Sequence, residues 1–264
     1  MDTKTTITVS IIGYNEAENL PACLDSVTWA DEIVFVDCES NDNSVEIAKK
    51  YTSKVFSKPN NRNLNINKQF GLDQCTSDWI LYLDPDELIP QDTAEWIKKE
   101  IQKTSYSAFQ FPRKNHMLGQ WLKHGGQYPD NQLRLFKRGD AHFPCKHIHE
   151  KLKVNGIIGK SPNFIMHHPY PTLEVYINKF NFYTTFEALF LVEKPPSALG
   201  WINYLIFKPI TRFFKRYFLY GGFLDGFGGL IAAFFDMINF PVRYFKYLEM
   251  KRNSASDIVN RDIV

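Results

Sequence analysis

The 264-residue sequence has only four cysteines, Cys23, Cys38, Cys75 and Cys145, and no C-x-x-C pair. Scattered thiols of this kind argue against a disulfide framework and suit a reducing, cytosolic setting. His142, Cys145, His147 and His149 lie close together, but their spacing fits no familiar zinc pattern. No G-x-G-x-x-G follows the first apolar run, which removes the usual nicotinamide-dehydrogenase signature. "GYNEAENLP" also lacks the glycines and basic residues of a phosphate loop. A net charge of +2 gives no argument for a nucleic-acid partner. Charges and prolines interrupt every apolar run before roughly 20 clean residues accumulate, so a spanning helix is disfavoured. The N-terminus, "MDTKTTITVSIIGYNE", has no basic n-region, apolar h-region or cleavage site, so no secretion is expected.

What is present is ordinary in bulk and organised in detail. Hydrophobic content of 44% and charged content of 23% describe a globular chain, long enough for one large domain or a domain with an appendage. The first hundred residues alternate strand and helix signals. "ITVSII" reads as a buried strand, and "NLPACLDSV" as a helix capped by Asn19 with Pro21 in its first turn. "EIVFVDC", "KVFS" and "WILYLD" read as further strands separated by helices, which implies parallel βαβ units. In such sheets ligands bind outside the carboxyl ends of the strands. The polar clusters "GYNE", "DCESND" and "DPDE" sit at those ends, so three loops should converge on one rim. From about residue 107 to 164 short strand-like runs separated by Gly, Pro and Asp suggest a mixed-sheet second half. "TLEVYINKFNFYTTFEALFLVEK" then reads as a long helix.

The acids at the rim suggest a chemistry. Asp84 and Asp86, one residue apart at the end of a strongly apolar strand, are hard oxygen donors suited to Mg²⁺ or Mn²⁺ and hence to a phosphate-bearing ligand. "DPDEL" lacks the threonine that a haloacid-type phosphatase would place after its D-x-D. Asp37 ends the second strand while Asn41, Asp42 and Asn43 remain for capping, which leaves its carboxylate to accept a uracil imide N–H or a ribose hydroxyl. Tyr14 can flank a base with its ring. Together these describe a nucleoside diphosphate site. Glu87 is read as a brace of the loop and not as a ligand.

"VSIIGYNEAENLPACLDSV", "DEIVFVDCESNDNSVEIAKKY" and "WILYLDPDELIP" resemble the N-terminal half of family 2 inverting glycosyltransferases. "YPDNQLRLFKRG", "HIHEKL", "IMHHPY" and "YGGFLDGFGGL" are similar to the branch containing lipopolysaccharide core glucosyltransferases. The resemblance implies the α/β GT-A fold, a mixed sheet flanked by helices, followed by a C-terminal amphipathic helical appendage. It makes Tyr14, Glu16, Asp37 and Asp84 nucleotide-sugar contacts; apart from the resemblance, Arg134 is by its charge a candidate partner of donor or acceptor phosphates. Asp84, Asp86 and His167 become the candidate holders of Mg²⁺ or Mn²⁺. Pro85, where a small residue is common, stiffens that loop, and Cys38 and Glu39 depart from the usual pattern. An inverting transferase needs one general base to deprotonate the acceptor. Glu150 in "HIHEKL" and Asp130 in "YPDNQLRLF" are the candidates, with Glu150 preferred; a salt bridge with Arg134 or Lys151 is the structural alternative.

The expected division is a catalytic domain over 1–195, with halves meeting near residue 105, and a helical region over 196–264. The tail from Trp201 is crowded with aromatics and carries Lys208, Arg212, Lys215, Arg216, Arg243 and Lys246. Such helices suit a membrane interface, with a helical hairpin packed on the core as the alternative. The donor expected from the resemblance is a UDP-hexose, and the acceptor is lipopolysaccharide core or another lipid-linked glycan. The expected location is the cytoplasm, peripheral to the inner face of the cell membrane. A membrane-docked binding protein without turnover, or a transferase acting on a polyprenyl-phosphate or non-lipid acceptor, is the competing reading.

Overall fold

The structure is a computed structural model that describes residues 4–61, 63–146 and 150–253. His147 and His149 lie outside the described residues. The first elements are β1 (Ile7–Gly13), α1 (Leu20–Asp25), β2 (Glu32–Asp37), α2 (Ser44–Ala48), β3 (Val55–Ser57), α3 (Leu64–Asp73) and β4 (Trp79–Leu83). They continue with β5 (Glu87–Leu88), α4 (Gln91–Glu100), β6 (Ala108–Met117), β7 (Gln120–Trp121), β8 (Asp130–Lys137) and β9 (Ala141–His142). Then come β10 (Lys153–Val154), β11 (Ile158–Lys160), β12 (Ile165–Tyr170) and α5 (Leu173–Glu193). The remainder is α6 (Gly200–Ile202), α7 (Lys208–Phe214) and α8 (Gly226–Arg252), with π-helical turns at Asn203–Phe207 and Lys215–Leu219 and a 3₁₀ turn at Gly222–Asp225. The chain divides into two compact units, Met1–Lys114 with Pro129–His168, and Asn115–Tyr128 with Pro169–Val264.

The first unit holds the sheet, ordered β3-β2-β1-β4-β8-β6-β12-β5. β1 pairs in parallel with both β2 and β4, whereas β8 runs antiparallel to β4 and to β6. The chain thus leaves β1 for β2 and β3 on one side and returns to β4 on the other, so the order reverses beside β1. That reversal opens a crevice at the carboxyl ends. Alternation along β1 explains the layers: Ile7, Val9 and Ile11 pack with Leu20 and Leu24 of α1 and Ile97 of α4, while Ile12 joins Leu72 of α3 on the opposite face. Helix α3 lies close on the sheet, because a Cβ added at Gly71 would meet Ser10 Oγ at 2.9 Å. The expected Asn19 cap is not made: its side chain donates to Glu16 Oε2 at 2.8 Å, and the Leu20 amide is taken by the Glu16 carbonyl.

Glu32, at the start of β2, accepts from Thr8 Oγ1 at 2.5 Å, from the Thr76 amide and hydroxyl, and from Lys54. Burial pushes its carboxyl up, but Lys54 and the hydrogen bonds outweigh this and bring it from 4.5 down to about 2. A folded value below the unfolded one contributes stability above about pH 4.5, and that contribution fades as pH falls towards 2. Glu32→Gln is therefore expected to lower the urea midpoint at neutral pH, with the gap to wild type closing between those values. A gap that stays constant with pH would contradict the assignment.

The second unit joins α5 to the tail, because α5 packs on α8. Ala188 meets Tyr244, Tyr247 and Met250, while Lys246 Nζ donates to the Asn181 carbonyl at 2.7 Å and to the Thr185 hydroxyl at 2.7 Å. Thr172 caps α5 by accepting from the Val175 amide at 3.2 Å. A spanning helix is disfavoured in the sequence, yet Pro241 lies inside α8 without ending it. Gly222–Arg252 forms 31 continuous helical residues with a stretch of mean hydropathy 1.4, enough to cross a bilayer by length and composition alone.

Candidate active site

Three loops at the carboxyl ends of β1, β2 and β4 form the candidate site in the first unit. Gly13 and Asp37 pair at the ends of β1 and β2, and the Cys38 amide donates to the Gly13 carbonyl at 2.8 Å. The loops beyond them are laced together. The Asn15 amide donates to Ser40 Oγ at 2.9 Å, the Asn41 amide to Asn15 Oδ1 at 2.7 Å, and the Glu16 amide to Ser44 Oγ at 2.9 Å. Asp42 fixes both sides at once, accepting from the Ala17 amide at 3.0 Å and from Ser44. Asn15 and Glu39 take left-handed backbone with φ of 53° and 62°, a strained choice for non-glycine residues that these cross-bonds hold in place.

Asp37 is 3% exposed. Its Oδ2 accepts from the Ser40 amide at 3.1 Å, while its Oδ1 is buried without a protein partner. A buried carboxylate oxygen left unmatched is costly, so it marks a place where a ligand donor would fit. Tyr14 stands half out of the same loop at 37% exposure. Glu16 lies one turn on, its carboxylate holding Asn19.

The β4 loop is built differently. The Asp84 carbonyl accepts from the Glu87 amide at 3.0 Å, and the Asp84 amide donates back to Glu87 Oε2 at 3.1 Å, closing a tight turn around Pro85. Asp84 Oδ1 accepts from the Tyr82 hydroxyl at 2.6 Å, and Oδ2 from Arg134 Nη2 at 2.5 Å; Lys68 Nζ is 3.6 Å from Oδ1. Glu87, fully buried, accepts from Arg134 at 2.6 Å and from Arg113 at 3.0 Å. Arg113 in turn grips Asp130 Oδ2 through Nε at 2.9 Å and Nη2 at 2.7 Å, and Gln132 donates to Asp130 Oδ1. Three acids (Asp84, Glu87, Asp130) thus interleave with three cations (Lys68, Arg113, Arg134), a balance that permits burial of so much charge. Burial alone would push the Asp84 carboxyl up, but the Arg134 guanidinium, Lys68 and the Tyr82 hydroxyl hold it well below the usual carboxylate range. Burial raises the Tyr82 phenol well above its ordinary value, so it remains a donor to Asp84.

Asp86 faces β12. Its carbonyl accepts from the His168 amide at 2.8 Å, and its Oδ1 is 3.4 Å from His167 Nε2, with both side chains nearly buried. Glu150 is half-buried; its Oε2 accepts from the Lys146 amide at 2.6 Å and its carbonyl from Asn65 Nδ2 at 3.0 Å. Among the described residues no group of three or more His, Cys, Asp or Glu side chains is gathered as a metal cage.

The structure therefore brings Asp84, Asp130 and Arg134 into one network and pairs Asp86 with His167. Arg134, expected beside donor phosphates, is 5% exposed and directs its Nη2 at Asp84 and Glu87. The salt bridge weighed for Asp130 exists, but with Arg113 in place of Arg134 or Lys151. Tyr82, Lys68 and Arg113 are absent from the sequence-based candidates. Tyr82 was accessible to strand alternation, since it sits two residues before Asp84 and so points to the same side. Arg113 was not, because it meets Asp130 only through the β6–β8 register.

Comparison with known proteins places these features in a family. Residues 8–155 match glycosyl transferase family 2. An uncharacterized glycosyltransferase of Rickettsia typhi is 29% identical over 247 residues, covering 86% of this chain and 83% of its own. The lipopolysaccharide core biosynthesis glycosyltransferase LpsC of Rhizobium meliloti is 28% identical over 244 residues, with 87% of each chain covered. The crystal structure of S. aureus TarS is 15% identical and aligns at a TM-score of 0.47 over 93% of this chain and 88% of that one. With the family matched over more than half of its length, and a mixed sheet of the GT-A kind carrying acids at the ends of β2 and β4, the chain belongs to glycosyl transferase family 2.

Proposed function

We propose that the chain is an inverting transferase that moves a hexose, glucose from a UDP donor, onto lipopolysaccharide core or another lipid-linked glycan at the inner face of the cell membrane. The observation that carries the donor side is the partnerless buried Oδ1 of Asp37, held at the strand reversal by the laced β1 and β2 loops. An acceptor oxygen there suits the imide N–H of a uracil, with the Tyr14 ring flanking the base. The similarity to LpsC supports the acceptor class.

The donor set of Asp86 and His167 fits a divalent cation, since a hard carboxylate oxygen and an imidazole nitrogen lie 3.4 Å apart. Asp84 fits less well as a ligand in this arrangement, because each of its oxygens already takes a side-chain partner. Bound there, Mg²⁺ or Mn²⁺ would offset the charge of the departing diphosphate. The chain's own residues do the rest. A carboxylate base, Glu150 ahead of Asp130, takes the acceptor hydroxyl proton as that oxygen attacks the anomeric carbon opposite the diphosphate. The new glycosidic C–O bond forms as the sugar–phosphate bond breaks, and the nucleoside diphosphate leaves with the electron pair. Lys68, 3.6 Å from Asp84, adds positive charge to the loop between β4 and β5.

A thermal-shift screen of nucleoside diphosphates and sugar nucleotides, with and without Mn²⁺, tests this. At a hundredfold excess over its Kd, UDP-glucose with Mn²⁺ is expected to raise Tm by roughly 5–10 °C, and Asp37→Asn to remove most of the rise. No stabilisation by any nucleotide would overturn the reading. Stabilisation without transfer to any lipid-linked acceptor would favour the binding protein.

A further inference from the structure

The second unit exposes an unusual amount of aromatic surface in one short stretch. Leu219, Tyr220, Phe223, Leu224 and Phe227 fall within nine consecutive positions around the turn into α8, and all five are between 48% and 72% exposed. A monomer seldom leaves a cluster of this size facing water without a use for it. The stretch is not a slack loop. Gly221 and Gly226 take φ of 67° and 56°, a conformation that side chains rarely adopt. A Cβ at Gly229 would fall 1.9 Å from the Gly222 carbonyl oxygen, so the turn folds hard against α8. Beneath it, Asp225 is 4% exposed and accepts from the His124 amide at 2.7 Å, with His124 Nδ1 also 2.7 Å away. Arg216 donates to the Gly125 carbonyl at 2.7 Å and pairs with Asp236 at 2.5 Å. Partly buried polar contacts thus fix the backbone while the apolar side chains stay exposed.

The preceding helical run supplies the charge. Residues 200–221 carry Lys208, Arg212, Lys215 and Arg216 and no acid. Arg216 is used internally, which leaves Arg212 and Lys215 exposed and Lys208 half-buried over the Tyr204 ring. Phe207, Ile210, Phe214 and Phe218 form a second exposed apolar set on the same run. A second copy of the chain seated symmetrically here would bring these cations against one another, which is unfavourable. An anionic bilayer offers both phases at once, phosphates for the cations and acyl chains for the rings.

We propose that the turn from Leu219 to Phe227 is a rigid wedge that inserts at the headgroup–acyl boundary of an anionic bilayer, with Lys208, Arg212 and Lys215 at the level of the lipid phosphates. This deepens the functional reading above and rests on its lipid-linked acceptor. The test is co-sedimentation of the full chain with phosphatidylcholine vesicles, with and without phosphatidylglycerol. The wild type is expected to prefer the anionic vesicles. Phe223→Ser, Leu224→Ser and Phe227→Ser together are expected to lower partitioning by about a hundredfold. Arg212→Glu with Lys215→Glu is expected to abolish the preference for phosphatidylglycerol. Should the triple variant lose its wild-type melting profile, Phe227→Asp alone serves, with a loss expected in the same direction. Unchanged partitioning in a folded variant overturns the wedge. A wild type that is dimeric in buffer, with a monomeric variant, assigns the surface to a second copy and also overturns it. Turnover of the sugar nucleotide is read separately: vesicle binding without transfer leaves the wedge standing and sinks the transferase reading.

Discussion

Replacing Arg134 with methionine is expected to remove about 3–5 kcal/mol of folding stability, the cost of breaking a buried charge pair from one side. Arg134 Nη2 is shared between Asp84 Oδ2 and Glu87 Oε1, and the side chain is almost wholly buried on β8. Methionine fills much of the volume but leaves the two carboxylates to Arg113, Lys68, the Tyr82 hydroxyl and the Asp84 amide, without the guanidinium they share. The result would appear as a lower urea midpoint with an unchanged slope. Arg134→Lys keeps the charge but loses the planar fork, so it should recover part of the stability and not all of it. A loss below about 1 kcal/mol, the range of exposed pairs, would mean that the network is solvated and not buried. Any fall in transfer activity would then follow from a displaced β4 loop and not from a lost phosphate contact. Donor affinity and stability should decline together across the two variants; a drop in affinity at full stability would return Arg134 to the donor.

The same network shows where sequence reasoning succeeds and where it stops. The strand–helix alternation of the first hundred residues is written in periodicity, and it places Asp37 and Asp84 at strand ends because an apolar run has to end somewhere. The rim could therefore be read from local pattern. What offsets the clustered acids could not. Arg134 stands 50 residues from Asp84 (134 − 84) and Arg113 stands 26 from Glu87 (113 − 87), and each reaches its acid only because β8 lies between β4 and β6. Antiparallel register carries that information, and no composition or spacing announces it. A sequence reader sees like charges and supplies a cation from solution; the fold supplies arginines. Prolines mislead in a related way. Pro241 looks like a helix end, yet α8 continues through it, since packing on α5 offsets the roughly 3 kcal/mol that an interior proline costs. The Asn19 cap fails for a local reason, because Glu16 lies within reach and takes its side chain first.

The largest effect on chemistry is expected from Glu150→Gln, a loss of roughly 10²–10⁴ in turnover, the range for removing a general base. Asp130 is the rival, and its surroundings argue against it. Both of its oxygens accept side-chain bonds, two of them from the Arg113 guanidinium. Taking an acceptor proton on Oδ2 would give up a charge-assisted pair that also orders Glu87. Glu150 sits in a different setting, where Oε2 accepts from the Lys146 backbone amide and the Asn65 side chain holds the carbonyl. The first of these contacts orients the carboxylate and the second anchors the backbone beside it. Asp130→Asn should accordingly weaken the Arg113 fork and lower stability more than it lowers transfer. Glu150→Gln should leave the melting temperature and the UDP-glucose affinity near wild type while transfer collapses. The readout is single-turnover transfer beside donor binding by calorimetry, in the same preparations. The reverse pattern, with intact stability and lost transfer in Asp130→Asn, would make Asp130 the base. Wild-type turnover in both variants would remove both carboxylates from the reaction and direct the search for a base to the remaining acids of the rim, Glu16 first.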